Sequence, residues 1–96
     1  MIQEIAKIRV KPGHEAAFEA AVQTALPLFA RAKGCHGAAL HRGIESPQDY
    51  ALVVQWETLE NHMVDFRNSA DFQEWRKLVG DHFAAPPQVH HETKVI

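Results

Sequence analysis

Two imidazoles in this chain stand where an apolar side chain would pack better. His62 lies in "LVVQWETLENHMVDFRNSADFQEW" (residues 52–75), on the side of a short amphipathic stretch that it shares with Leu59, Met63 and Phe66. His91 lies in "PPQVHHE", on the more apolar face of a last alternating segment, with Val89, Thr93 and Val95. Imidazole titrates near pH 6.5, so an inward-facing ring can take or give a proton at working pH. His62 is the expected base or donor at the lip of an internal pocket, and His91 the partner that orients the substrate. Trp56, Phe66, Trp75 and Phe83 are the expected walls. Arg76, like Arg67, reads as solvated or as a rim contact for an anionic group. The plainer alternatives are a boundary or core histidine satisfied by one carbonyl, and aromatics that only fill the core.

Other chemistry finds little support. The chain has seven histidines, but His36 and His41 point to opposite sides of a strand, and the adjacent His90 and His91 diverge. No metal site is therefore expected. Cys35, the one cysteine, has no CxxC partner and no activating group; it excludes an internal disulfide and suits a reducing cytoplasm. Gly34, Gly37 and Gly43 form no phosphate loop. A net charge of −2 without a basic run gives nucleic acid no electrostatic footprint. The opening "MIQEIAKIRV" is too short and too interrupted for a signal peptide or a membrane span.

The elements that must position these residues follow from periodicity. At 96 residues the chain is expected to be a single domain, residues 1–96. Ile2 to Lys11 reads as a strand ended by "KPG". His14 to Lys33 reads as a helix carrying Phe18, Val22, Ala25 and Phe29 inward, kinked or broken at Pro27 and capped by Gly34. Strands follow over His36 to Ile44 and Tyr50 to Glu57. Thr58 caps a short helix with Leu59, Met63 and Phe66 inward; Ser69 caps a longer one with Phe72, Trp75, Val79 and Phe83 inward. "APP" stops it, and Val89 to Ile96 alternates as a last strand. The β-α-β-β-α-β order predicts a ferredoxin-like α+β sandwich, a four-stranded antiparallel sheet whose second helical region is split in two. In the third strand Tyr50, Leu52, Val54 and Trp56 share one face, and Ala51 and Val53 the other. Helices can cover only one of these apolar faces, so a homodimer is expected.

In order and spacing, "VVQWE", "TLENHMVDFRNSADFQEWRKLV", "FAAPPQVHHE", "KPGHEAAFEAA" and "AKGCHGAAL" resemble the antibiotic biosynthesis monooxygenase domain family over nearly the whole chain. The resemblance implies a dimeric α/β barrel with a pocket between sheet and helices in each subunit. Characterised relatives oxidise polyketide phenols and quinols with dioxygen, without metal or flavin; others degrade haem or act on small signalling molecules. Haem-degrading relatives use an Asn and a His where Ala6 and Arg76 stand here. Phe66 and Asp71 stand near the histidine positions of many quinol-oxidising relatives. His62 in "LENH" and His91 in "PPQVHH" match a recurrent pattern in one branch.

The expected function is thus a cofactor-independent monooxygenase of a small phenolic or quinol-like compound, with dioxygen as co-substrate, in the cytoplasm. A non-catalytic ligand-binding or dimerisation module, and an oxygen-independent isomerase or lyase, are the alternatives.

Overall fold

Alternation along the first strand decides which side of the sheet the helices cover. In a computed structural model of residues 1–96, β1 (Ile2–Arg9) buries Glu4, Ala6 and Ile8 and turns Gln3, Lys7 and Arg9 outward. The chain continues through α1 (Glu15–Ala30), β2 (Cys35–Arg42), β3 (Asp49–Trp56), a π-helix (Asn61–Phe66), α2 (Ala70–Val79), one 3-10 turn (Gly80–His82) and β4 (Gln88–Thr93). The strands form one antiparallel sheet in the order β2-β3-β1-β4, with the two long connections packed on a single face. This is the α+β sandwich that the element order predicts.

The core lies between that face and α1. Phe18, Val22, Ala25 and Phe29 recur at helical spacing and pack on Leu52, Val54 and their neighbours. The opposite face carries a row, set by register, of Ala39, Val53, Ile5 and His90. None of these four is buried within the chain.

Several local expectations need correction. The helix runs unbroken past Pro27 to Ala30. Pro27 and Gln23 are not buried, so the Gln23 carbonyl that loses its intrahelical donor lies on the water-facing side. Gly34 does not cap this helix, which ends on Arg31 in right-handed geometry. α2 stops at Val79, and Phe83 instead bridges Val10 as an isolated extended residue. The last strand ends at Thr93, leaving Val95 exposed.

Gly34 has another task. Its φ is +78°, and a methyl group there would overlap the Asn61 carboxamide. Gly13 has a similar φ of +86° with nothing nearby. Both Ala variants carry the left-handed backbone penalty, but Gly34→Ala is expected to cost about 2 kcal/mol more, from overpacking. Urea denaturation of the two variants measures the excess; equal costs would show that Asn61 gives way freely.

Candidate active site

The site is set by how the chain turns after β3. Thr58 and Asn61 hold each other: the Asn61 amide donates to Thr58 Oγ1 at 3.2 Å, and the Thr58 amide donates to Asn61 Oδ1 at 3.1 Å. This reciprocal cap starts the short helix as the Thr58 expectation requires. The backbone then widens, the Arg67 N–H donating to the His62 carbonyl at 3.1 Å, five residues back. The wider turn changes which residues face inward. Asn61, His62 and Phe66 are buried, whereas Leu59 and Met63, expected inside, are 48% and 39% exposed.

His62 is only 2% exposed, and both ring nitrogens meet protein atoms. Nδ1 lies 2.8 Å from His91 Nε2, and Nε2 lies 3.2 Å from Glu4 Oε1. The fully buried Trp56 donates its indole N–H to the same Oε1 at 3.0 Å and stacks its ring on His62, with centroids 5.4 Å apart and planes 16° apart. Indole is a donor only, so Oε1 accepts from Trp56, while His62 Nε2 stands beside the same oxygen. His62 Nδ1 and His91 Nε2 share one hydrogen, and the tautomer decides which ring donates it. Both contacts fall on Oε1, leaving Oε2 for the cleft that Glu4 lines.

Burial pushes the Glu4 carboxyl above its usual range, against the opposing pull of the Trp56 hydrogen bond and the Arg67 charge. Burial also pushes His62 down to about 4, helped by Arg67 and then His91. His91 is lowered by burial, Arg67 and His90. With its pKa near 4 the imidazole is neutral at pH 7, so the 3.2 Å contact between His62 and Glu4 is not an ion pair there.

A cleft of about 830 Å³ opens between the sheet and α2, a volume suited to a small organic ligand. Glu4, Ala6 and Leu52 line it from the sheet, and His62 and Arg67 from the segment that follows β3. Phe72, Trp75 and Arg76 come from α2, and Phe83 and Pro86 from the connection into β4. Of the residues singled out in the sequence, His62, Trp75, Phe83 and Arg76 thus line the cleft. Trp56 and Phe66, expected as walls, stand behind it: Trp56 backs His62, and Phe66 packs between Phe29 and Phe72. His91 meets His62 directly and does not line the cleft.

Glu4 was not singled out in the sequence. Its signal was a carboxylate at an inward position of an alternating strand, between Ile2 and Ala6. Arg67, read as solvated or at the rim, has its Nε buried with no hydrogen-bond partner.

Comparison with known proteins agrees with this architecture. A Bacillus subtilis (strain 168) protein, the uncharacterized YczJ, is 37% identical over 91 residues, covering 95% of this chain and 96% of its own length. The crystal structure of a candidate antibiotic biosynthesis monooxygenase from Bordetella bronchiseptica superposes with a TM-score of 0.97 at 74% identity, over 99% of this chain and 97% of that one. SnoaB, a cofactor-independent oxygenase from Streptomyces nogalater crystallised as a point mutant, shares the fold, with a TM-score of 0.84 at 16% identity over 99% and 93% of the two chains. The profile of the antibiotic biosynthesis monooxygenase family matches residues 1–78, so the chain belongs to that family.

Proposed function

We propose that the protein is a cofactor-independent monooxygenase that deprotonates a small phenolic or quinol-like compound in the cleft and lets the resulting anion react with dioxygen. The observation that carries this is the run of close polar contacts from Trp56 through Glu4 and His62 to His91, which leaves one carboxylate oxygen without a protein partner on the lining of the cleft. Family membership, and the oxygenase activity named for SnoaB, support the same reaction class.

The role of base passes from His62 to Glu4. Both His62 nitrogens are engaged, and a ring with a pKa of about 4 is a weak base. Glu4 has Oε2 free, and burial makes it more basic. His62 holds Glu4 in orientation, and His91 fixes the His62 tautomer. Trp75, Phe72 and Phe83 sandwich the ring and keep water from the oxygenated intermediate. The phenolic proton goes to Glu4, and the electron-rich ring reduces dioxygen. One oxygen atom enters the ring as a carbonyl; the other leaves as water, taking back that proton. The substrate supplies all the electrons, so a phenol and dioxygen yield a quinone and water.

The working unit in this proposal is a homodimer, a second copy covering the row of Ala39, Val53 and Ile5. No helix is long and apolar enough to cross a membrane, and the lone thiol of Cys35 fits the cytoplasm.

The test is oxygen uptake by the purified protein with a panel of quinols and hydroxylated aromatics, alongside sedimentation. Uptake that stops in the His62→Ala/His91→Ala double variant is the expected result. Full turnover by that variant would remove the relay. Conversion of the same compounds without oxygen would reassign the base to an isomerase or lyase. A purely monomeric sedimentation profile would remove the dimer.

A further inference from the structure

The chain has five arginines, and their pairing divides sharply. Arg9, Arg31 and Arg42 each reach a carboxylate, on Asp49, Asp71 and Glu19. The two that line the cleft, Arg67 and Arg76, pair with none, and neither does Lys77, which joins them there. Arg67 Nε is also the one buried side-chain nitrogen or oxygen in the molecule without a hydrogen-bond partner. Buried donors are normally satisfied, and a guanidinium carries its charge at every physiological pH. The single acid on the lining, Glu4, is beyond ion-pair distance of Arg67, and its Oε1 accepts from Trp56 and lies 3.2 Å from His62. The cleft is therefore lined by three cations that make no ion pair, one of them with a buried donor left without a partner.

We infer that the ligand of this cleft is an anion: a hydroxylated aromatic carboxylate, held through its carboxylate by Arg67 and with its ring between Phe72, Trp75 and Phe83. This deepens the proposed function, since it names the substrate class of that same site. A carboxylate accepts two parallel N–H bonds from a guanidinium, which fixes the ring's direction as well as its affinity. Arg76 lies over the Phe72 ring, 5.9 Å from its centroid, and with Lys77 draws the anion inward from the mouth. With the carboxylate at Arg67, a ring hydroxyl is left to face Glu4 Oε2.

Calorimetric binding of gentisate, its neutral primary amide and hydroquinone, without oxygen, tests this independently of turnover. Wild-type protein is expected to bind gentisate about tenfold more tightly than either neutral compound. Arg67→Gln is expected to bring the three within twofold of one another, while Arg67→Lys keeps part of the preference. Circular dichroism checks that both variants fold; should Arg67→Gln fail to, Arg67→Met and Arg67→Lys carry the comparison. Equal binding of the acid and its amide to wild type, a preference that survives Arg67→Gln, or no binding of gentisate at millimolar concentration would each overturn the inference. Oxygen uptake with hydroquinone but no acid preference would defeat this inference and leave the oxygenase standing. An acid preference without any oxygen uptake would do the reverse.

Discussion

Glu4→Gln is expected to lower quinol turnover by about a thousandfold, the scale of a lost general base, while making the folded protein more stable at neutral pH. The amide keeps an oxygen for the Trp56 hydrogen and the same place beside His62, so the buried packing survives. What disappears is the proton acceptor at Oε2. The stability gain follows from the sign of the Glu4 shift. Its pKa is raised from 4.5, so the native state holds this proton more tightly than the unfolded chain does. Stability is then lost as pH rises from 4.5 through the folded value. The variant has no such loss, so its thermal midpoint should equal that of wild type near pH 4 and exceed it at pH 8. Activity within tenfold of wild type would mean that Glu4 is not the base.

Wild-type protein is expected to lose about 3 kcal/mol of stability through His62 alone on acidification from pH 6.5 to about 4, as the shift converts directly to free energy. Here the folded pKa is depressed, so the unfolded chain takes the proton first as pH falls through 6.5. The loss grows until about pH 4 and is flat below it. His91, lowered too, adds in the same direction, whereas Glu4 works the opposite way over part of the window. The clean readout is therefore the difference between wild type and His62→Gln, which has no imidazole to charge. Urea denaturation at half-unit steps should show the wild type losing stability relative to the variant as pH falls. Parallel curves would mean that His62 accepts a proton in the native state without penalty.

Much of the architecture was legible because each segment obeys one period. β1 and β3 alternate, α1 repeats its apolar residues every three or four positions, and Ser69 caps α2 through the Phe72 amide as its type and place predict. The segment Leu59 to Phe66 resisted because the wider turn depends on a bond across five residues, which no hydrophobic pattern announces. A helical period therefore placed Leu59 and Met63 inside, although the backbone turns them out. Glu4 was hidden differently. A carboxylate in a strand reads as an interruption of the apolar face, and its partners, Trp56 near the end of β3 and His62 in the wide turn, meet it only in the folded chain. Trp56 and Phe66 show the converse limit: periodicity tells that a ring points inward, not whether it meets core or void.

The same backbone bond joins His62 to Arg67, since the carbonyl of one accepts the amide hydrogen of the other. One residue braces the acid, and the other offers the free donor, so the gap between these two ends is gauged by main chain instead of by mobile side chains. In the proposed complex, a ligand gripped at both ends would have to match that gauge. Shortening the loop by a residue would tighten it to the ordinary helical pitch, and the measure of acceptable ligands would change even if every side chain in the cleft stayed the same.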